Sequence, residues 1–247
     1  MPRSVPVVVR TQVYGHRGSR RPGPENTAAG VRAALRAGAD GVEVDVRRDG
    51  SGALVVSHDP VQGPAQALAA VLDAVLFTAG PGAAREGSLA ARVVLEVKNR
   101  PGDPDFDDSV AATARALVGL LAARGGHDNA VISSFDEHSL NLVRALGGAP
   151  SALLTPPGVA LRVGTANAVQ HGHVELHPHW ASVTARGVGR AHAAGLRVVP
   201  WTVVSVARAR RLAALGVDAL ICDDPGALVG ALAGGLAACG WVTDDDP

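Results

Sequence analysis

The chain has 247 residues, with 23 basic and 23 acidic side chains for a formal net charge of zero, and is 47% hydrophobic but only 3% aromatic. That length suits one large α/β core, since an α/β barrel typically takes about 250 residues, and the core must be built from Ala, Val and Leu. The charge balance argues against a broad nucleic-acid or anionic-membrane surface while leaving room for a local phosphate site.

No run approaches the ~18 apolar residues of a membrane span. The N-terminal run PVVV (6–9) is broken by Arg10, too early for a signal peptide. Cys222 and Cys239 are too few for a disulfide framework and read as free thiols in a reducing compartment. The expectation is a cytoplasmic protein without stable membrane insertion.

Short β-branched runs alternate with Ala/Leu/Arg-rich helical patterns. The strand candidates are QVYGH (12–16), GVEVDV (41–46), ALVVSH (53–58), RVVLEVK (92–98), AVISSF (130–135), SALLT (151–155), HVELH (173–177), RVVPWTV (197–203) and DALICD (218–223). Helical patterns cover 27–38, 108–125, 136–147, 181–195 and 206–216, and several end in Gly, a stop signal. Near-continuous apolar strands alternating with helices predict a parallel sheet covered on both faces. Count and length favour a (β/α)8 barrel, a TIM barrel forming a single domain over 1–247. No G-x-G-x-x-G follows the first strand, against a dinucleotide fold. Residues 78–91 read as a loop, and 242–247 as a frayed acidic tail.

One place breaks the regularity. Only seven residues, RRDGSGA (47–53), join the second run to the third, whereas a parallel crossover needs a dozen or more. Asp49–Gly50 is also a hairpin-type turn signal. With nine candidates for eight slots, either the barrel is irregular here or one run is an extra strand.

Ligand sites in such barrels form at the C-terminal strand ends, where the polar residues are His16, Arg17, Glu43, Asp45, His58, Glu96 and Lys98. Glu43 and Asp45, two apart on one strand, point to the same face and repel unless neutralised. A buried ion network with Arg17 or Lys98 is one solution. Glu96 adds a third carboxylate, and three carboxylates without a nearby Cys make an all-oxygen site suited to Mg²⁺ or Ca²⁺. His16 and His58, each ending a strand run, suit a proton-donor and proton-acceptor pair. Arg17 and Lys98 bring positive charge suited to a phosphoryl group. His127, His138, His171, His173, His179 and His192 read as ordinary satisfied side chains.

In order along the chain, GHRGSRRPGPENT (15–27), GVEVDVRRDGSGALVVSHDP (41–60), LEVK (95–98), SSF (133–135), PWTV (200–203) and GVDALICDDP (216–225) resemble the glycerophosphodiester phosphodiesterase family. The resemblance implies a TIM barrel that hydrolyses small-molecule glycerophosphodiesters to an alcohol and glycerol 3-phosphate. It implies Glu43, Asp45 and Glu96 as ligands of a divalent cation, His16 and His58 as the acid/base pair, and Arg17 and Lys98 as phosphate contacts. Attack by a glycerol hydroxyl would form a cyclic phosphate that water opens. Trp201 would wall the alcohol or glycerol pocket, and Phe135 either joins that wall or plugs the core. Glu25 or Asn26 would cap the helix that follows, with Glu25 also a candidate substrate contact.

The sequence departs from the family pattern in three ways. The insertion usual after the His-Asp motif is missing or reduced, so the pocket should be open. Val204 stands where Asn is usual, and Cys222 where Thr is usual. Two other readings fit the same motifs: a related lyase, lysophospholipase-D-like, that stops at the cyclic phosphate, and a barrel that binds phosphodiesters without cleaving them.

Overall fold

The computed structural model describes residues 10–21, 23–78, 91–107, 110–124 and 129–236. The expected loop at 78–91, apart from its first and last residues, and the acidic tail at 242–247 lie outside them, as does His127. All nine strand candidates take part in one sheet. Strands β1 (Gln12–Gly15), β2 (Gly41–Arg48), β5 (Arg92–Val97), β6 (Ala130–Ser134), β7 (Ser151–Thr155), β8 (Glu175–Pro178), β9 (Arg197–Val198) and β10 (Ala219–Cys222) run parallel in the order β10-β1-β2-β5-β6-β7-β8-β9. The ring is closed by hydrogen bonds between the β9 segment and β10: Asp218 N to Val198 O (3.0 Å), Ile221 N to Pro200 O (3.0 Å) and Val203 N to Ile221 O (2.9 Å). This is the expected (β/α)8 barrel.

The short link is resolved by an extra strand. β3 (Leu54–Val56) pairs antiparallel with β2, Val46 facing Val56, and then with β4 (Gln66–Ala67), a two-residue strand without a sequence signal. The hairpin turn is organised by Asp49, whose carboxylate accepts from Ser51 N and Ala53 N, with Gly52 at φ 86°. The chain therefore leaves the barrel rim, reverses, and returns at Ser57, whose N–H donates to Asp45 O at 3.1 Å. An antiparallel return needs only a turn, so seven residues suffice.

Strand β9 is shorter than its seven-residue pattern. Pro200 has no N–H to donate towards β10, and only single bridges continue the ladder beyond it. Helices follow each barrel strand: α1 (Ala28–Arg36), α2 (Leu68–Thr78), α3 (Ala112–Arg124), α4 (Glu137–Ala145), α5 (Leu161–Gln170), α6 (Ala185–Ala193), α7 (Val206–Ala214) and α8 (Pro225–Leu236). Side-chain caps start several, with Thr27, Asp136, Thr184 and Ser205 each accepting from a first-turn N–H. The cap of α1 is thus Thr27, not Glu25 or Asn26. Among the described residues, no helix is long and apolar enough to cross a membrane.

The main core lies between sheet and helices and is Val-, Leu- and Ala-rich. Inside the barrel, Tyr14, Val94, Val199, Ala219 and Ile221 form a second apolar layer. Beneath it the first residues of four strands close the bottom. Glu175, fully buried, receives Arg92 (2.6 Å), Arg197 (3.0 Å) and His177 (2.9 Å), and Arg197 also reaches Gln12 (2.8 Å). Burial alone would raise the Glu175 pKa, but these donors outweigh it and hold it at about 2.

A carboxyl lowered in the folded state contributes stability above its unfolded value of ~4.5 and loses it as pH falls towards 2. The shift corresponds to the order of 3 kcal/mol. Urea midpoints of the parent and Glu175→Gln should therefore converge between about pH 5 and pH 2.5. Curves that stay parallel would show that this carboxylate contributes nothing.

Candidate active site

The opposite end of the barrel gathers the polar strand ends. β1 stops at Gly15 because the chain doubles back: a Cβ there would lie 1.9 Å from Gly18 O. The turn places Arg17 at φ 54° and Gly18 at φ 80°. It points two N–H groups at Glu43, Arg17 N to Oε2 (2.9 Å) and Gly18 N to the carbonyl (2.8 Å). Glu43, Asp45 and Glu96 all face the barrel interior, because Asp45 and Glu96 are register partners on β2 and β5 and Glu43 is two residues before Asp45.

Each of these three buried carboxylates offers one oxygen within 4.8 Å of the others. Part of their charge is answered by the protein. Lys98 Nζ bridges Asp45 (2.8 Å) and Glu96 (2.6 Å), Arg17 Nε reaches Asp45 (3.2 Å), and Asn26 donates to Asp45 Oδ2 (2.8 Å). Burial would raise the Asp45 pKa, but Lys98, Asn26 and Arg17 outweigh it and hold it below the usual value. Glu43 has no such cation. Its Oε1 is buried without a hydrogen-bond partner, and burial, then Asp45 and Glu96, push its pKa well above the carboxylate range. Burial and Asp45 also raise Glu96, against the pull of Lys98. Three carboxylates thus face two cationic side chains. The unpartnered Glu43 oxygen and the all-oxygen donor set fit a hard divalent cation held by Glu43, Asp45 and Glu96. The ion-network alternative describes Asp45 and Glu96 but leaves Glu43 unexplained.

The two histidines share an arrangement. His16 Nδ1 lies 2.7 Å from Asp223 Oδ1, and His58 Nδ1 lies 2.8 Å from Asp59 Oδ1. In each, a carboxylate fixes one ring nitrogen and leaves Nε2 for other work. His16 is nearly buried, its Nε2 4.0 Å from Glu43, whereas His58 is 41% exposed. Both face a cavity of about 610 Å³ also lined by Arg17, Glu96, Lys98 and Trp201, within the range of small-molecule sites. Trp201 donates from its indole to His177 O (3.0 Å) and packs edge-on to Phe135, ring centres 5.4 Å apart. Phe135 is 45% exposed at the rim, so it is not a core plug.

All eight candidate residues thus converge on one mouth, Glu43 and Asp45 forming its buried floor. Sequence reasoning passed over Asp223, although it ends DALICD as His16 ends QVYGH, and the same strand-end criterion would have selected it. It also missed Asn26 as the clamp on Asp45, with Asn26 Oδ1 accepting from Asp45 N (3.0 Å). Glu25 is engaged by Arg17 (3.0 Å) and Arg20 (2.7 Å). Ser133 and His177 were not singled out either. Both turn into the barrel, and each has a buried polar atom without a partner. Of the histidines read as ordinary, His171, His173 and His192 pair with Glu137, Ser151 and Asp218, and His179 packs edge-on to Trp201.

The class is that of a closed (β/α)8 barrel whose mouth gathers three buried carboxylates and two histidines, each paired with a carboxylate. The chain matches the family model "Glycerophosphoryl diester phosphodiesterase family" over residues 16–76 and 84–227 and belongs to that family. It is 27% identical over 246 residues to a glycerophosphodiester phosphodiesterase of Caldanaerobacter subterraneus subsp. tengcongensis, covering 90% of this chain and 97% of that one. Among solved structures it is similar to a phosphodiesterase of Oleispira antarctica in complex with the product sn-glycerol-3-phosphate (TM-score 0.75, 21% identity, 91% and 97% of the two chains). It is also similar to a glycerophosphodiester phosphodiesterase of Parabacteroides distasonis (TM-score 0.75, 19% identity, 92% and 98% of the two chains).

A ligand that binds only the folded state raises stability by mass action. At a hundredfold excess over Kd, Mg²⁺ or Ca²⁺ should raise the melting temperature by roughly 5–10 °C, and Glu43→Ala should abolish the rise. An unshifted parent would mean that the three carboxylates hold no such ion.

Proposed function

We propose that this chain is a divalent-cation-dependent hydrolase of glycerophosphodiesters that releases an alcohol and glycerol 3-phosphate, with His16 and His58 as the general acid/base pair. The observation that carries the reading is the mouth itself: two histidines, each with Nδ1 held by a carboxylate, face one cavity above Glu43, Asp45 and Glu96. Family membership and the glycerol 3-phosphate bound by the Oleispira relative support the substrate class.

A cation held by Glu43, Asp45 and Glu96 would supply Lewis-acid stabilisation of charge on the phosphoryl oxygens. The residues of the chain do the rest. Arg17 and Lys98, both lining the cavity, add positive charge beside the phosphate. With Nδ1 directed to a carboxylate, each imidazole presents Nε2 to substrate. One Nε2 takes the proton of the neighbouring glycerol hydroxyl as its oxygen attacks phosphorus, and the other gives a proton to the departing alcohol oxygen. Water then opens the resulting cyclic phosphate with the two roles exchanged, which returns each histidine to its starting state. The exposure of His58 leaves water access for that second step. Trp201 and Phe135 present an apolar wall to the carbons of the glycerol or the leaving alcohol.

A panel of glycerophosphodiesters assayed with Mg²⁺, with Ca²⁺ and with chelator tests the reading, phosphorus NMR distinguishing glycerol 3-phosphate from a cyclic phosphate. Turnover should vanish in chelator, and His16→Ala or His58→Ala should lower kcat by roughly 10²–10⁴-fold with cation binding kept. Chelator-resistant turnover would refute cation dependence, and near-normal turnover in either variant would remove that histidine from the mechanism.

A further inference from the structure

Arg47 lies on β2 two residues beyond Asp45, so it faces inward at the rim. Its side chain is only 4% exposed although it ends beside an open cavity. The guanidinium joins three pieces of chain. Nε donates to the carbonyl of His58 (3.1 Å), Nη1 contacts both carboxylate oxygens of Asp105 (2.6 and 2.8 Å), and Nη2 donates to Asp103 (2.6 Å). Burial opposes its charge, but Asp103 and Asp105 outweigh that and raise its pKa.

Among the described residues the other contacts holding this segment are local, with Ser57 Oγ donating to Asp59 O across His58 (2.7 Å). The pairing of β3 with β2 ends at Val56, after which Ser57 N to Asp45 O is the next backbone anchor. No strand follows until β4, and Asp59, the partner of the His58 ring, is 87% exposed. The carbonyl bond from Arg47 therefore holds His58 just where the hairpin lets go. On the other side, Asp103 and Asp105 belong to the loop after β5, whose base is closed by Asn99 bonding Asp107 N (2.9 Å) and O (2.7 Å). Arg100, Pro101 and Asp103 of that loop line the same cavity as His58.

We propose that Arg47 is a positioning residue that latches the His58 segment to the Asp103–Asp105 loop, which together form the cavity wall on this side. A direct phosphate contact is the competing role for a guanidinium at this place. Two carboxylates already occupy both its terminal nitrogens, so it offers the mouth no free fork. Lysine cannot replace it, because one ammonium lacks the planar fork that serves three acceptors in fixed directions. The consequence for turnover rests on the acid/base role of His58 given above; the consequence for where His58 sits does not.

Histidine-labelled full-length protein, with the His58 ring signal assigned from His58→Ala, tests the position directly. Arg47→Lys should shift the His58 ring resonances and speed amide exchange at Ser57 and His58 by tenfold or more, while the His16 signals stay in place. Asp103→Asn combined with Asp105→Asn should move His58 in the same direction, and serves if Arg47→Lys fails to fold. In kinetics, Arg47→Lys should lower kcat by roughly 10²-fold, the scale of an ångström-sized misplacement, with KM changed less than threefold. That loss should disappear in a His58→Ala background. Unmoved His58 signals in these variants would overturn the proposal whatever the activity, as would an undiminished Arg47→Lys loss in the His58→Ala background. A moved His58 in a protein that cleaves no diester would leave the latch standing and remove the proposed reaction instead.

Discussion

Three carboxylates buried within 4.8 Å of one another are the constraint around which the mouth of this barrel is built. Left alone they would repel, and burial would protonate them. The protein answers most of that charge with Lys98 and Arg17, and positions Asp45 further with both ends of the Asn26 amide. What it leaves without a partner is Glu43 Oε1, and burial with the neighbouring carboxylates raises the Glu43 pKa, so a cation there would complete the set. A site that discharged itself entirely from within would be more stable and would have no affinity left for an ion.

The same constraint explains the turn after β1. Its backbone adopts positive φ at Arg17 and Gly18, which costs local strain at a non-glycine residue, and so turns two N–H groups onto Glu43. That turn also sets His16 against Asp223, the residue just after the neighbouring strand β10. The Glu43 carboxylate, His16 and the Arg17 side chain are thus all set by one short segment, GHRG. A change that relaxed the turn would disturb all three at once.

A second short segment, the hairpin of β2 and β3, shapes another side of the mouth. It returns His58 to the rim with few residues and leaves it partly exposed, in keeping with an open mouth. The wall there is electrostatic rather than apolar, an arginine between two aspartates, while Trp201 and Phe135 give the same cavity an apolar lining.

Much of this was legible in the residues. Alternation of apolar strands and helices gave barrel class and element order, because both periodicities are local properties of the chain. The paired acids of GVEVDV and LEVK stood out because charges inside a buried strand need a reason, and the strand-end histidines stood out by the same logic. Other features depend on which strands become neighbours once the ring closes. Asp223 meets His16 only because β10 lies beside β1, and Asn26 meets Asp45 only because the PENT segment folds back over β2. Arg47 finds Asp103 and Asp105 only because β2 and β5 are adjacent although β3, β4 and α2 separate them in sequence. Local sequence determined which side chains could do chemistry. Closure of the barrel decided their partners, because hydrogen bonds and ion pairs act over a few ångströms and only the tertiary fold brings residues distant in sequence that close.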